Sequence, residues 1–255
     1  MSATASFHHV GALVRRNLLL IRANPDSLFD VLLMPVIYTV LFVYVFGGAV
    51  SGSQHDYVQY VMPGLLGLVA VNVAMTAGVG VNSDFGTGVM DRFRTLPIAR
   101  SSVLVAKVLV EAARMAAAMA VLLLMGLLLG LDAKAGVLRL LGSIGLTMVF
   151  GISLLWVSVL LGLVLKSPQA VQGLGMIVVL PLQFGSSVFA PTGTMPGWLR
   201  AFTKVNPLSS LADACRALTD GGSAAGPVVV TLAWALGIAL LTGPLAVAKF
   251  HRAAR

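Results

Sequence analysis

The stretch VLRLLGSIGLTMVFGISLLWVSVLLGLVL, residues 137–165, decides the fold class of this chain. After Arg139 it contains no charged side chain. A helix needs about 20 consecutive apolar residues to cross a bilayer, because each residue adds about 1.5 Å along the helix axis. The stretch is longer than that requirement, so it predicts a transmembrane helix that tilts or projects from the bilayer.

Five further apolar segments flank this one and have the same character. The sequence therefore predicts an all-α polytopic membrane protein with six transmembrane helices, folded as a single transmembrane domain over residues 1–255. The other predicted spans cover residues 28–46, which end at Gly47-Gly48, and residues 60–81, 103–129, 171–189 and 227–248.

The composition excludes an ordinary soluble fold. Hydrophobic residues make up 58% of the chain and charged residues only 10%, whereas soluble domains carry about 25% charged residues. The net charge of +8 does not indicate nucleic-acid binding, because the Lys and Arg residues are spread between the spans. The single cysteine, Cys215, excludes an intrachain disulfide. We expect no metal site from the four histidines, which lie outside the spans: His8, His9, His55 and His251.

Positive charge orients the predicted spans, because cytoplasmic loops keep an excess of Lys and Arg. With a cytoplasmic N-terminus, eleven of these residues fall inside and five outside, and residues 48–59 contain none. We therefore expect both termini in the cytoplasm. The inner set is Arg15, Arg16, Arg22, Arg92, Arg94, Arg100, Lys107, Lys166, Lys249, Arg252 and Arg255, and the outer set is Lys134, Arg139, Arg200, Lys204 and Arg216.

Residues 6–22 precede the first span and predict an amphipathic helix. Their apolar residues follow helical spacing, while His8, Arg15 and Arg22 share another face. Such a helix lies in the cytoplasmic interface with its basic side toward anionic lipid. A frayed basic tail is the alternative. The apolar stripe consists of Phe7, Val10, Val14, Leu18 and Ile21.

Residues 84–100 join the second and third spans and are the most charged stretch in the chain. Phe85, Val89, Phe93 and Leu96 nevertheless recur at helical spacing. The pattern predicts a short cytoplasmic helix that ends before Pro97 and docks on a partner. A loop that only solvates the surface would not need Phe93 and Leu96. We expect Ser101 or Ser102 to cap the third span.

Residues 190–225 are too apolar for a free extracellular loop. They predict re-entrant half-helices on the outer side, with backbone ends covered by protein. The Asn206-Pro207 pair indicates a helix start, and the helix is expected to run to about Leu218, with residues 220–222 as its exit.

The chain lacks motifs for its own catalysis. It contains no G-x-x-x-x-G-K-[ST], H-E-x-x-H or G-x-S-x-G pattern. We therefore predict no catalytic residue and no metal ligand, and any ATP hydrolysis would have to come from another polypeptide.

Two ionisable residues lie within the third span, where charge is costly and indicates function. Glu111 and Arg114 are three apart on one helix face. Either they lie at headgroup level, or they pair and hold the segment 84–100 against the bundle. Asp30 lies near the cytoplasmic end of the first span, where it is expected to reach water.

At residues 90–100, MDRFRTLPIAR, the sequence resembles the type-2 family of ABC exporter permeases, especially the daunorubicin/doxorubicin-resistance membrane subunits of actinobacteria. A second match is FGSSVFAP at residues 184–191, followed by MPGWL at residues 195–199 and NPL at residues 206–208. The resemblance extends over essentially the whole chain.

The resemblance implies a complex in the bacterial inner membrane of two permease copies, expected as a homodimer, with two copies of a separate ABC ATPase subunit. ATP and Mg would bind to that partner, and this chain would bind no cofactor. Residues 84–100 would contain the coupling helix that fits the ATPase. Carried over by position, the coupling residues are Asp91, Arg92, Phe93, Arg94, Leu96 and Pro97.

The resemblance also implies a substrate path between the two permease copies. An aromatic and amide lining suits a hydrophobic or amphipathic drug, lipid or natural product. Ordinary helix packing is the alternative for each residue. The candidates are Tyr38, Phe42, Asn72, Thr76, Gln183 and Phe184.

These observations favour the permease subunit of an ATP-driven exporter. A secondary transporter or channel that needs no ATPase is the first alternative. The second is a membrane protein without transport activity, such as an assembly factor.

Overall fold

The structure is a computed structural model that describes residues 25–87, 100–132 and 134–253, and it contains no β-strand within those ranges. The bundle is therefore all-helical over the described part of the chain. Its α-helices are α1 Pro25–Ser51, α2 Gln54–Gly86, α3 Arg100–Leu128, α4 Val137–Val164, α5 Pro168–Phe184, α6 Gly197–Val205, α7 Pro207–Asp220 and α8 Ala225–Ala253, with a 3₁₀ turn at Thr192–Thr194.

Five helices are long and apolar enough to cross a membrane. The predicted fifth span corresponds to α5, an apolar helix of 17 residues that is shorter than the other five. The structure thus has five candidate spans and one shorter apolar helix in the described part of the chain, and the sixth span stays a prediction. The five candidates are Val31–Gly48, Gln54–Gly86, Leu104–Leu128, Val137–Val164 and Ala225–Phe250.

Several predicted helix ends were wrong. α1 continues past Gly47-Gly48 to Ser51, because helical hydrogen bonds remain the best option for a backbone away from water. The predicted outer loop of residues 48–59 is therefore reduced to a turn at Gly52 and Ser53, where Ser53 caps α2. α3 already includes Arg100, so Ser101 and Ser102, the predicted capping positions, lie inside the helix.

Helix α2 is the centre of the bundle. It packs against α1, α3, α4, α5 and α7, and 72% of its span is buried. Buried side chains therefore lie all around this helix, from Tyr57 at its start to Val81 near its end. A helix that is apolar on every side belongs in the interior of a bundle.

Glycines allow α2 and α4 to cross closely. A Cβ added to Gly78 would lie 2.5 Å from the Ser158 carbonyl oxygen, and one added to Gly162 would meet the Gly78 carbonyl. Small residues at helix crossings are typical of membrane bundles, because they let the backbones approach. Next to this crossing, Asn82 Nδ2 donates to the Gly162 oxygen at 2.9 Å and the Leu165 oxygen at 2.6 Å.

The helix ends form two groups, one at each end of α2. At its start, Gln59 Nε2 donates to the Gly130 oxygen at 2.7 Å in the turn after α3. At its end, Asp84 pairs with Lys107 of α3, and Phe85 meets Phe250 of α8 at 5.8 Å between ring centroids. α2 and α3 therefore run antiparallel, whereas α2 and α8 end on the same side of the bundle.

The predicted N-terminal helix and most of the predicted coupling segment lie outside the described residues. This applies to residues 6–22 and 88–99, and so to Asp91, Arg92, Phe93, Arg94, Leu96 and Pro97. Their roles stay predictions.

Candidate functional site

Two short helices follow α5, where the sequence predicted half-helices. α7 begins at Pro207 with Asn206 as its cap, which accepts the Leu208 amide at 2.9 Å. It ends at Asp220, two residues beyond the expected end, and Gly221 continues with a positive φ of 84°. A left-handed glycine is a common way to end a helix. α7 packs against α2, α4 and α8, so it is part of the bundle.

Helix α5 ends at Phe184, five residues before the predicted end at Phe189. Residues 185–190, which we call the exit segment, leave the helix with backbone groups that need other partners. Asn206 Nδ2 donates to the oxygens of Leu182 at 2.8 Å and Gly185 at 2.9 Å. This amide therefore satisfies carbonyls at the end of α5.

Serine hydroxyls continue the connection between α7 and the exit segment. Ser209 Oγ accepts the Ser187 amide at 3.1 Å, and Ser187 Oγ donates to Asp213 Oδ1 at 2.8 Å. Both serines are buried, whereas the Asp213 side chain is about half exposed. One face of α7 thus provides polar partners for an irregular backbone.

Arg216 is the central residue of this site. Its Nη2 donates to the Ser187 and Val188 oxygens, at 2.5 and 3.1 Å, and its Nε donates to the Tyr60 oxygen at 2.9 Å. Its Nη1 contacts Asp213 Oδ1 at 2.9 Å and Ser187 Oγ at 3.3 Å. The guanidinium therefore joins α7, α2 and the exit segment in one network, and its side chain is only 12% exposed.

Two tyrosines of α2 complete the network. Tyr60 OH donates to the Ser187 oxygen at 2.6 Å, and its ring lies 3.9 Å from the Arg216 guanidinium carbon. Tyr57 OH donates to the Phe189 oxygen at 3.0 Å. A cation above an aromatic face is stabilised by the ring quadrupole, and more strongly when water is excluded.

An aromatic row lies next to this network. Phe189 of the exit segment stacks on Phe42 at 4.4 Å and on Phe184 at 5.4 Å between ring centroids, and Phe42 stacks on Phe46 at 5.7 Å. The structure thus brings together two of the predicted path residues, Phe42 and Phe184, through Phe189. Phe42 is buried, whereas Phe184 is 62% exposed.

The other predicted path residues have separate environments. Tyr38 packs against the central core. Asn72 Nδ2 and Thr76 Oγ1 bond carbonyls of their own helix, at Leu68 and Val73, both at 2.9 Å. Gln183 is buried, and its Nε2 has no hydrogen-bond partner among the described residues.

The predicted charges in the third span form an ion pair. Arg114 Nη1 lies 2.9 Å from Glu111 Oε2, and both side chains are largely buried. The two charges therefore pair with each other, whereas a role in holding the segment 84–100 stays a prediction. Arg114 Nε is buried without a partner among the described residues. One turn earlier on α3, Lys107 pairs with Asp84 of α2 at 2.7 Å.

Arg216, Tyr60 and Phe189 were not predicted as site residues from the sequence. Arg216 counted only as an outer positive charge. A usable signal was its position three residues after Asp213, because opposite charges three apart in a helix lie on one face and can pair. The FGSSVFAP motif already contained Ser187 and Phe189.

In the described part of the chain, no group of three or more His, Cys, Asp or Glu residues comes together. Cys215 is a buried free thiol in α7. Its sulfur lies 3.5 Å from Thr147 Oγ1 of α4, so it belongs to the packing between α7 and α4.

Comparisons with known proteins give the family. The daunorubicin resistance ABC transporter permease protein of Streptomyces coeruleorubidus is 38% identical over 221 residues, which cover 87% of this chain and 78% of the relative. A probable doxorubicin resistance ABC transporter permease protein of Mycobacterium tuberculosis is 26% identical over 242 residues, 92% of this chain and 86% of the relative.

A third relative, a putative transport permease of Cyanophora paradoxa, is 25% identical over 215 residues, which cover 83% of this chain and 74% of the relative. Residues 8–219 match the family described as ABC-2 type transporter. This match covers most of the chain, including the exit segment, α7 up to Thr219 and the predicted coupling residues. The chain belongs to the ABC-2 type transporter family.

Proposed function

We propose that the chain is the membrane-spanning permease of an ATP-binding-cassette exporter that moves a hydrophobic or amphipathic substrate out of the cell. The observation that carries this proposal is the family match over residues 8–219, together with the 38% identity to a daunorubicin resistance permease. The absence of a nucleotide-binding motif from the sequence fits a division of labour with an ATPase subunit.

The proposed topology has six spans, with α5 as the short one. Two contacts support it. Leu165, just before α5, is bound by Asn82 near the end of α2, whereas Ser187, just after α5, is bound by Tyr60 near the start of α2. α5 therefore runs from one end of α2 to the other. Its 17 residues extend about 25 Å. The exit segment then continues the chain from Phe184 to Ser187 beside Tyr60.

With six spans, both termini lie on one side of the membrane, and the charge distribution favours the cytoplasm. The turn between α1 and α2 and the helices α6 and α7 then belong to the outer side. This arrangement puts Asp84, Lys107 and residues 88–99 on the cytoplasmic side, where an ATPase has to bind. The proposed location is the bacterial inner membrane.

Energy would enter through residues 88–99. Phe93 and Leu96 provide an apolar contact for the ATPase, and the flanking charges Asp91, Arg92 and Arg94 set its orientation. ATP-driven closure of two ATPase copies would rotate two permease copies as rigid bodies. ATP and Mg stay on the ATPase.

The proposed substrate path follows the aromatic row on α1, α5 and the exit segment. Exposed and half-exposed rings, such as Phe46 and Phe184, suit a flat hydrophobic substrate, because aromatic faces stack. The drug resistance named for two relatives supports this class of substrate.

The test is co-purification from membranes with free-standing ABC ATPases of the source organism, followed by ATPase assays with daunorubicin in proteoliposomes. We expect a stable complex whose ATPase rate rises with the drug. The double substitution Phe93→Asp with Leu96→Asp is expected to abolish ATPase binding while membrane insertion is kept.

The matched control replaces Trp198 by Asp, because Trp198 is an apolar residue of the outer helix α6 that is 74% exposed. Transport by the purified permease without any ATPase would contradict the proposal and favour a secondary transporter or channel. Retained ATPase binding in the Phe93/Leu96 variant would contradict only the coupling assignment.

A further inference from the structure

We infer that Arg216 is a positioning residue for substrate recognition, because it fixes the exit segment and thereby Phe189 in the aromatic row. This inference rests on the proposed function, since it assigns a role within the substrate path. Arg216 itself lies behind that path, with its guanidinium on backbone carbonyls and on the Tyr60 ring.

Hydrogen bonds hold the backbone on both sides of Phe189. The Val188 oxygen accepts from Arg216 Nη2 at 3.1 Å, and the Phe189 oxygen accepts from Tyr57 OH at 3.0 Å. The carbonyls of the two peptide bonds on either side of the Phe189 Cα are thus held by two different helices, α7 and α2. A side chain on a segment fixed at both carbonyls has little freedom to shift.

The exit segment packs directly on α2. A Cβ added to Gly64 would lie 3.2 Å from both the Val188 Cα and its oxygen, so the segment runs directly over this glycine. Arg216 Nε meanwhile donates to Tyr60, one turn earlier on α2. Pro63 lies in this turn and has no N–H to donate, so α2 lacks the ladder bond to the Gln59 carbonyl there. Arg216 therefore fixes both the segment and its support.

An arginine suits position 216 better than a lysine does. The guanidinium has five N–H donors in a planar fork, and here it uses them in three directions. Lysine keeps the positive charge, but its ammonium is a compact group that cannot reach the Tyr60, Ser187 and Val188 oxygens with the same geometry. Arg216→Lys thus separates charge from positioning.

The chain supplies a matched control in Arg200 of α6. This arginine also donates to three backbone oxygens, at Thr192, Gly193 and Met195, with distances of 3.0 to 3.2 Å. These carbonyls lie in the loop before α6 and do not belong to the exit segment. Arg200→Lys removes a comparable set of bonds without touching the aromatic row.

The first experiment needs no substrate. Val188→Cys introduces a thiol at a position that is 1% exposed, and its maleimide labelling rate is measured in membranes. We expect Arg216→Lys to raise this rate by roughly tenfold or more, because a hydrogen bond to a charged group contributes about that factor. Arg200→Lys is expected to leave it unchanged. Equal labelling in both backgrounds would overturn the inference.

The second experiment measures daunorubicin-stimulated ATPase activity of the assembled complex. We expect Arg216→Lys to raise the half-stimulating drug concentration by roughly three- to tenfold, the range for one aromatic stacking contact, with little change in the maximal rate. A loss of maximal rate at an unchanged half-stimulating concentration would indicate a purely structural role and overturn the inference.

Tyr57→Phe keeps the inference testable if Arg216→Lys fails to assemble. It removes only the hydroxyl that holds the Phe189 oxygen, so the same two changes in labelling and half-stimulating concentration are expected, and their absence overturns the inference. A wild-type complex that daunorubicin does not stimulate would count against the proposed function, and the labelling result would still decide the role of Arg216.

Discussion

Lys107 Nζ lies 2.7 Å from Asp84 Oδ2, so an ion pair joins the last turn of α2 to the first turns of α3. These are the two helices that flank residues 88–99. The pair is partly exposed, with 23% of the Lys107 side chain and 36% of the Asp84 side chain accessible. It connects the two helices that would receive any movement of the predicted coupling segment.

Breaking this pair is expected to affect coupling more than stability. Lys107→Ala should lower the free energy of unfolding by only about 0.5 to 1 kcal/mol, because a partly exposed ion pair contributes little. Transport per ATP hydrolysed should fall, since α2 and α3 then move less as one unit. The reversed pair, Asp84→Lys with Lys107→Asp, should restore the ratio. A ratio that stays low in the reversed pair, or never falls in Lys107→Ala, would contradict this prediction.

The close crossing of α2 and α4 is expected to tolerate no added methyl group at Gly78. The new Cβ would meet the Ser158 carbonyl at 2.5 Å, and backbone cannot move aside as a flexible side chain can. Gly78→Ala should therefore cost about 1 to 3 kcal/mol, the usual range for overpacking. The measurement is thermal unfolding of the purified protein in detergent.

Gly145→Ala is the control for that substitution. Gly145 lies on α4 with no atom within 4 Å of an added Cβ, and alanine favours helix over glycine. We expect an unchanged or slightly higher unfolding temperature. Equal effects of the two substitutions would mean that the crossing is looser than described.

The sequence predicted the helical bundle well because a single local property, apolar length, decides it. The segment at residues 137–165 corresponds almost fully to α4, Val137–Val164. Ends were harder to predict, because Gly47-Gly48 resembles a stop signal in water but stays helical within α1. The end of α5 at Phe184 depends on partners elsewhere in the chain.

The site was less predictable, because its contacts join residues that are far apart in the sequence. Arg216 and Tyr60 are 156 residues apart, and no local pattern relates them. Phe42 and Phe184 were chosen by resemblance, and only the fold shows that Phe189 lies between their rings. Glu111 and Arg114 were predictable as a pair because one helix carries both.

Cys215 is expected to be inert in the folded protein. It is fully buried in α7, which is not one of the candidate spans, and burial raises the pKa of its thiol to about 11. The thiol is therefore protonated at pH 8, and only the thiolate reacts with maleimide. Because the folded state favours the protonated form, a rise in pH from the ordinary pKa of 9.0 toward 11 should lower stability.

Maleimide labelling and mass spectrometry check this prediction. The native protein at pH 8 should stay unlabelled and become labelled after denaturation, whereas Phe184→Cys, at an exposed position, should label in the native state. Rapid native labelling of Cys215 would mean that α7 opens away from α4. Because Cys215 is next to Arg216 in α7, the Val188→Cys experiment is done with Cys215 replaced by alanine.

The Glu111–Arg114 pair is expected to be far more sensitive to loss of one partner than to loss of both. Arg114→Leu leaves a buried carboxylate without its 2.9 Å partner and should destabilise the protein by about 3 to 5 kcal/mol. Replacing both by leucine removes the uncompensated charge and should be close to neutral, within about 1 kcal/mol of wild type. Thermal unfolding of the single and double variants measures the difference.

Transport by the double variant then separates the two interpretations of the pair. If the charges only stabilise α3, the double variant should transport as well as wild type. We expect instead a reduced ratio of transport to ATP hydrolysis. The reason is that the pair lies one turn along α3 from Lys107, whose partner Asp84 is in the last turn of α2 next to residues 88–99, so it belongs to the part of α3 that would transmit their movement. Full transport by a well-folded double variant would reject this role and leave the pair as a packing element of α3.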